Sequence, residues 1–249
     1  NAAFFGGFGI GPLLGGVMTD QFGMSATFLT MGGLNLLAFI VTYFFLPETE
    51  SRHAADGVKL SFKEMSRSNM VRGIFSFRLA QAMGRGGIIA FLPIFGSLIG
   101  LSISLIGVLI TISFFSMIAL APIGGLIADR INRRSITIAG NIFFSGLLVA
   151  IPFCTSFTQL TGVLVMQGLS GALVMAASSA LTVEEGRKYG MGSTMSMFML
   201  AMGLGMAIGP IVSGVIADLF HIASVFYFGA VTGVIGTFLF GWFTRDYRG

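Results

Sequence analysis

Long apolar stretches alternate with short polar segments along the whole chain. Eight of these stretches are about 20 residues long, the length at which a helix crosses the ~30 Å hydrocarbon layer of a bilayer. They cover residues 1–19, 26–46, 73–97, 103–127, 136–153, 159–183, 193–219 and 223–243. Segments of this length must satisfy their backbone polar groups internally, which leaves helices as the option. The pattern therefore predicts an all-α polytopic membrane protein with eight transmembrane helices.

Composition supports a membrane protein and argues against other classes. Charged residues make up 10% of the 249 residues and the mean hydropathy is +0.91, whereas soluble domains carry about 25% charged residues. Cys154 is the only cysteine, so neither an internal disulfide nor a cysteine metal site is expected. His53 and His221 lie far apart in predicted loops. We therefore expect no metal, no cofactor and no catalytic residues, and a net charge of +4 gives no reason to expect nucleic acid.

Basic residues distinguish the two sides of the membrane. If alternate loops face opposite sides, one side receives residues 47–72, 128–135, 184–192 and the tail from 244, which hold twelve of the fourteen lysines and arginines. The opposite loops hold none. The positive-inside rule then places the central loop and the C-terminus in the cytoplasm of a multi-pass cell-membrane protein.

The central loop, residues 47–72, contains the one long polar stretch. From Lys59 onward it mixes large apolar residues with basic ones, which is typical of a short helix on an anionic membrane surface. A solvated linker explains the same composition equally well, and both interpretations stay open. In either case the loop separates two spans from six.

A motif rich in glycine and proline occurs twice. GFGIGPLLGGVMTD at 7–20 returns as GMAIGPIVSGVIAD at 205–218, and nine positions within residues 7–30 are identical at an offset of 198. Internal repeats are typical of secondary transporters, whose binding sites form between two related halves. Glycine spacing that merely permits tight helix packing is the alternative. The shared proline and the shared final aspartate favour the repeat.

Three short segments resemble motifs of the major facilitator superfamily. GGLIADRINRR at 124–134 resembles the family's loop signature, with Asn132 where glycine is usual. Because asparagine tolerates left-handed backbone angles, the tight turn is expected to survive this change. GFGIGPLLGG at 7–16 is similar to the motif of the family's fifth helix, found mainly in exporters, and LPET at 46–49 is similar to the end of its sixth helix. The residues that match the loop signature are Gly125, Asp129, Arg133 and Arg134.

This resemblance implies an MFS-type helical bundle. Residues 1–46 would be the last two helices of the N-terminal bundle, residues 47–72 the cytoplasmic connector, and residues 73–249 the six-helix C-terminal bundle with a short tail. Four further helices would then precede Asn1. The cluster at 124–134 would latch the cytoplasmic gate, and a set of solvated positive charges is the alternative.

The glycine-proline motif is expected to pack the two bundles against each other near their outer ends. A stripe of glycines lets a neighbouring helix approach closely, and an internal proline bends the helix. We expect the second copy to do the same from the other half. The residues are Gly7, Gly11, Pro12, Gly15 and Gly16 in the first copy and Gly209, Pro210 and Gly214 in the second.

The third predicted span carries the strongest candidates for a binding site. Arg78, Gln81 and Arg85 are spaced i, i+3 and i+7 and share one helix face. An arginine inside hydrocarbon costs at least ~2.5–3.5 kcal/mol, so Arg85 is expected to face a wet cavity or a partner. We predict Arg85 as a substrate-binding or coupling residue, with Gln81 beside it and Arg78 as a further candidate. Alternatively, Arg78 snorkels to the cytoplasmic surface, and Arg85 is a structural group bonded to backbone carbonyls.

The span 193–219 is rich in methionine, with Met195, Met197, Met199, Met202 and Met206. Methionine forms adaptable surfaces that suit varied apolar substrates. Packing against lipid explains these residues as well.

The predicted function is secondary active transport of a small molecule by rocker-switch alternating access, in a monomer embedded in the lipid bilayer. An efflux antiporter driven by protons is the leading hypothesis. No aspartate or glutamate lies in the interior of a span, away from its ends, whereas proton coupling commonly uses intramembrane carboxylates, so the titrating acid is expected ahead of Asn1. A transporter of organic anions or metabolites is the alternative that Arg85 favours. A non-transporting receptor or scaffold is less favoured, and an enzyme is not expected.

Overall fold

The computed structural model describes residues 2–46, 62–245 and 247, and eight long helices dominate them. Each long helix corresponds to one predicted span, which confirms the all-α fold class. The helices are α1 (Ala2–Phe22), α2 (Met24–Phe45), α3 (Phe62–Met65), α4 (Asn69–Leu98), α5 (Ile103–Arg130), α6 (Arg133–Ala150), α7 (Phe157–Tyr189), α8 (Met191–Leu219) and α9 (Ala223–Phe243). Seven of them, α2 and α4 to α9, are long and apolar enough to cross a membrane. The chain is therefore a multi-pass membrane protein.

Local sequence explains where several helices begin and end. Ser68, Ser102 and Ser156 begin α4, α5 and α7, and each side-chain oxygen accepts the N–H three residues further along at 3.3 to 3.4 Å. Such caps satisfy one of the unpaired donors at a helix start. Gly190 is the single residue between α7 and α8, and its φ is 93°. Because glycine has no Cβ, it adopts such a positive φ at little cost.

The six long helices α4 to α9 pack as one bundle around α4. This helix contacts α8 and α9 along its length, while α7 packs against α5 and α6. Phe77 on α4 and Phe240 on α9 are both fully buried, with ring centroids 5.5 Å apart. Tight packing here holds the polar face of α4 at a fixed position inside the bundle.

The first two helices, α1 and α2, join this bundle mainly through α1. α1 packs against α5 and α2, and no residue of α2 is buried. A helix that is apolar on all sides faces lipid or other transmembrane helices. The α1–α5 contact is thus the main connection between the helix pair and the bundle.

The end of the central loop packs on the bundle. Residues 47–61 lie outside the described part, so the interpretation of that stretch cannot be compared with the fold. The single turn α3 follows, and its Met65 is 3% exposed. The hydroxyl of Thr194 on α8 approaches the Met65 sulfur at 4.0 Å. This end of the loop is therefore neither a free linker nor wholly on the membrane surface.

Candidate functional site

A cavity lies beside α4 at the level of its two arginines. It is an open cavity with walls from α4, α5, α7 and α8. Arg85 and Phe114 also line a smaller neighbouring hollow that reaches Gln167 on α7. The lining of the larger cavity is Arg78, Gln81, Ala82, Arg85, Ile89, Phe114, Met175, Met202, Gly203 and Met206. The three polar residues predicted on one face of α4 therefore share one cavity.

Arg78 is held rigidly within the bundle. Its guanidinium donates to Gln81 Oε1 at 2.7 Å, to Ser178 Oγ at 2.6 Å and to the Met175 sulfur at 3.1 Å. The guanidinium carbon lies 4.2 Å from the ring centroid of Phe198, a cation–π distance. Since the residue is 4% exposed, the alternative in which Arg78 snorkels to the surface is wrong.

Gln81 continues a polar network across the bundle. Its Nε2 donates to Asn141 Oδ1 at 3.4 Å, and Asn141 Nδ2 donates to the Gly233 carbonyl at 3.0 Å and to Thr237 Oγ1 at 2.8 Å. Together with Arg78 the network joins α7, α4, α6 and α9. Because both ends of the Gln81 amide are engaged inside the protein, this residue positions Arg78.

Arg85 has far fewer partners than Arg78. Its Nη2 approaches the Met117 sulfur at 3.5 Å, and its guanidinium carbon lies 5.8 Å from the ring centroid of Phe114. Thioether sulfur is a weak acceptor. Within the described part of the chain no backbone carbonyl accepts a hydrogen bond from Arg85, so the alternative of a structural group bonded to carbonyls does not hold there.

Two of the five methionines predicted on one span line the cavity. Met202 and Met206 lie one helical turn apart on α8 and line it, whereas Met199, on the same face by helical spacing, is 45% exposed and is not part of the lining. Met175 on α7 and Phe114 on α5 complete the wall. Sequence reasoning missed these last two because nothing local distinguishes them from other apolar residues of a membrane helix.

The first copy of the glycine-proline motif belongs to α1 and packs in part against α5. Gly16 is packed against the first turn of α5. A Cβ on Gly15 would lie 3.9 Å from Thr27 Cγ2 on α2, and Cβ atoms on Gly7 or Gly11 would have no described neighbour within 4 Å. Within the described part of the chain, Gly16 thus faces α5 and Gly15 faces α2, whereas Gly7 and Gly11, one turn apart, face neither helix.

Gly9, a further residue of the motif, makes other close contacts between α1 and α5. Gly9 packs on Phe115, and its carbonyl accepts a hydrogen bond from Thr111 Oγ1 at 2.6 Å. Gly107 on α5 lies directly against the carbonyl of Pro12. A glycine on the partner helix thus makes room for α1 at Pro12.

The second copy of the motif has different surroundings. Gly209 contacts the α4 backbone, and a Cβ on Gly86 would lie 3.0 Å from Pro210 Cδ. A Cβ on Gly214 would lie 3.8 Å from the ring of Phe91. These contacts are with α4 of the same bundle, which differs from the expectation that this copy repeats the role of the first. Small residues on both α4 and α8 favour their close approach to each other.

At the predicted outer end, Asp20 of α1 caps α5. Its carboxylate accepts the backbone N–H of Ser104 at 2.9 Å and also the Ser104 hydroxyl. The start of a helix carries unpaired donors and a partial positive charge, so a carboxylate is favoured there. In the repeat Asp20 corresponds to Asp218, and both residues are exposed. In the sequence, the signal for this capping role is that Asp20 is the last residue of the motif on α1, the helix that packs against α5.

At the predicted cytoplasmic end, Arg133 and Arg134 connect α6 to two other helices. Arg133 forms an ion pair with Glu184 on α7 at 3.7 Å. Arg134 donates to Thr244 Oγ1 and to the Gly241 carbonyl, both at 3.0 Å. These arginines are therefore engaged within the bundle and are more than a solvated set of charges.

Asn132 uses a different local structure from the one expected. Its φ of −54° and ψ of 115° are not left-handed, so the expectation of a left-handed turn is wrong. The Asn132 side chain instead accepts the N–H groups of Arg134 at 2.9 Å and Ser135 at 3.3 Å. Asparagine is among the preferred N-cap residues, which explains how the turn survives without glycine.

In the described part of the chain, Glu184 is the acidic residue that pairs with Arg133 of the predicted gate. Tyr247 of the tail donates to its carboxylate at 2.9 Å. Burial, together with this hydrogen bond and the nearby negative charge, raises the pKa of Tyr247. The side chain of Asp129 lies outside the described part, and Gly125 has no described neighbour near a Cβ position.

Several characterised and uncharacterised transporters are similar to this chain. An uncharacterized MFS-type transporter of Methanocaldococcus jannaschii is 26% identical over 94% of the chain and 62% of its own length. The multidrug resistance protein MdtG of Proteus mirabilis is 23% identical over 94% of the chain and 60% of its own length. The quinolone resistance protein NorA of Staphylococcus aureus is 26% identical over 61% of the chain and 39% of its own length. The chain thus spans about 60% of the first two relatives.

The family model of the Major Facilitator Superfamily matches residues 1–97 and 74–249, which together cover the whole chain. Its members are transporters and not enzymes. The helix order, the apolar composition and these matches agree, and the chain belongs to the Major Facilitator Superfamily.

Proposed function

We propose that the full-length encoded protein exports small molecules across the cell inner membrane by rocker-switch alternating access, in exchange for protons and as a monomer. In this proposal α1 and α2 close one bundle, residues 47–72 form the cytoplasmic connector, and residues 73–249 form the second bundle and a cytoplasmic tail. The relatives named for multidrug and quinolone resistance support export.

The observation that carries this proposal is the position of Phe114. Its side chain lines the cavity, and its Cβ lies 3.6 Å from a Cβ position on Gly9 of α1. Because the same residue belongs to the cavity wall and to the α1–α5 contact, a rigid-body movement of α1 changes the cavity. Alternating access requires this relationship between a boundary and a central site.

The Asp20–Ser104 contact supplies an outer gate in this mechanism. It joins α1 to α5 through a charge-assisted hydrogen bond. If the two bundles separate at their outer ends, this bond breaks and reforms once in each cycle. At the other end, Arg133 and Arg134 stabilise the bundle on which the cytoplasmic gate closes.

A crosslink across the outer gate tests the mechanism. The full-length protein, with Cys154→Ser, receives the pair Asp20→Cys and Ser104→Cys and is reconstituted in liposomes with an imposed pH gradient and a fluorescent dye. We expect gradient-driven dye flux before treatment with a short bifunctional thiol reagent and loss of flux after it, while each single-cysteine variant keeps its flux. If dye flux survives complete crosslinking, alternating access at this gate is refuted. If dye flux does not depend on the pH gradient, proton coupling is refuted.

A further inference from the structure

Two cationic side chains line the cavity, and no acidic side chain in the described part of the chain pairs with them. Arg78 and Arg85 both line it. Among the side chains that the structure describes, neither guanidinium forms an ion pair. The described acids lie at helix ends or in the loop, at Asp20, Glu64, Glu184, Glu185 and Asp218. The positive charge of the cavity is therefore not neutralised by the described residues.

The two arginines differ in how many of their donors are already used. Gln81, Ser178 and Met175 hold Arg78, and the ring of Phe198 covers one face of it. Arg85 has the Met117 sulfur as its one described hydrogen-bond acceptor, at 3.5 Å. A guanidinium presents five N–H donors in a planar fork that matches a carboxylate. Arg85 is thus the cation whose donors remain for a ligand, and Arg78 is fixed behind it.

The remaining lining of the cavity is apolar and adaptable. Met202 and Met206 are one turn apart on α8, and the ring of Phe114 lies on α5. Thioether side chains fit ligands of varied shape and make favourable contacts with aromatic rings. The cavity therefore offers one anchored charge and a large surface without fixed hydrogen-bonding groups.

We propose that this cavity binds amphipathic organic anions, with a carboxylate or sulfonate on the Arg85 guanidinium and the apolar body against Met202 and Met206. The inference rests on the proposed transport function and names its substrate class. Two like charges in a site of low dielectric repel a cationic solute. Gln81 and Arg78 act as positioning residues, because hydrogen bonds within the bundle engage both ends of the Gln81 amide and both terminal nitrogens of Arg78.

A matched pair of dyes tests the charge preference directly. The full-length protein, purified in detergent, is titrated with dansylglycine, an anion at neutral pH, and with its uncharged methyl ester, and fluorescence anisotropy gives each Kd. One charge-assisted, bidentate contact predicts about tenfold tighter binding of the acid than of the ester. Arg85→Gln should remove this ratio by weakening the acid alone, and Arg85→Lys should retain part of it because the charge stays while the fork is lost.

Further measurements keep the test decisive if Arg85→Gln does not fold. On the wild-type protein, unlabelled naphthoate should displace the acid dye at a concentration about tenfold lower than its neutral isostere naphthamide does. Leu204→Met, two residues from both Met202 and Met206 and therefore on the opposite face of α8, is 41% exposed and outside the cavity lining; it is the control variant and should leave both Kd values unchanged.

The outcomes separate the anion site from the transport function. Equal binding of the two dyes, absence of saturable binding of the acid dye, or an equal loss of both in Arg85→Gln overturns the anion site, and gradient-driven flux of the ester would still support export. Saturable acid binding that depends on Arg85, without gradient-driven flux of either dye in liposomes, supports the site and refutes the proposed secondary transport.

Discussion

Gly16 of α1 lies directly against Ile103 of α5. A Cβ placed on Gly16 would lie 2.9 Å from the Ile103 carbonyl oxygen and 3.2 Å from the Cα of Ser104. Both obstacles are backbone atoms, so they cannot turn aside as a flexible side chain does. Any side chain at this position must therefore push the two helices apart.

Gly16→Ala should destabilise the α1–α5 contact by about 1–3 kcal/mol, the typical cost of overpacking a tight site. Gly11→Ala is the matched control in the same motif, because its Cβ would meet no described atom within 4 Å. Alanine is the better helix former by roughly 0.5–1 kcal/mol, so the control should be neutral or stabilising. The melting temperatures of the purified variants measure the difference, and equal changes in both would contradict the assigned packing.

Asp20→Asn should favour separation of α1 from α5 at the outer end. The substitution replaces a charge-assisted hydrogen bond to the first turn of α5 with a neutral one, and a charge at a helix terminus is worth about 0.3–1 kcal/mol. Spin labels at Phe22 and Ile103, which are 66% and 48% exposed, report the distance between the two helices. We expect the longer-distance population to grow by about two- to fivefold.

The repeat supplies the control for this experiment. Asp218 occupies the equivalent position in the second copy of the motif and is exposed. Asp218→Asn changes the net charge by the same amount and should leave the distance distribution as it is. If the two substitutions have the same effect, the outer gate is not at Asp20.

Asn132→Ala should lower stability by about 1 kcal/mol, because the N-cap acceptor of α6 is lost. Asn132→Gly should cost only a few tenths of a kcal/mol, since glycine is tolerated at this cap position, and it restores the residue usual in the family motif. Asn132→Ser keeps an acceptor and serves as the conservative variant. Thermal unfolding of the purified proteins ranks the three, and a glycine variant less stable than the alanine variant would rule out the capping role.

Helix positions were predictable because the length of an apolar stretch and the caps beside it are local properties. The spans 73–97 and 159–183 each correspond to one helix, α4 and α7. The observed α7 is longer and continues to Tyr189, because Gly186 stays helical and the positive φ comes only at Gly190. In this respect the structure extends the prediction without changing the topology.

Contacts between helices were predictable only in part. The face of α4 that carries Arg78 and Arg85 follows from helical periodicity, whereas the partner Ser178 lies 100 residues away in sequence. For the same reason the sequence does not distinguish Gly9, which contacts α5, from Gly11, which has no described neighbour. Which side of an apolar helix meets its neighbour depends on the neighbour's small residues, here Gly107.

The contact between Tyr247 and Glu184 should be lost at alkaline pH. Burial and the hydrogen bond to Glu184 raise the pKa of Tyr247 above its usual value, which is about 10. Because the folded state favours the neutral phenol, the stabilisation is fully present below that usual value and disappears as the pH rises through the raised pKa. Above it, a phenolate would face the Glu184 carboxylate, and the tail should detach from α7.

Limited proteolysis of the C-terminal tail over a pH series measures this detachment. The wild-type tail should be protected at neutral pH and cleaved rapidly once the pH exceeds the raised pKa of Tyr247. Tyr247→Phe removes both the hydrogen bond and the titrating group, so its cleavage should be faster at neutral pH and nearly independent of pH in the alkaline range. An alkaline transition that persists unchanged in Tyr247→Phe would show that another group releases the tail.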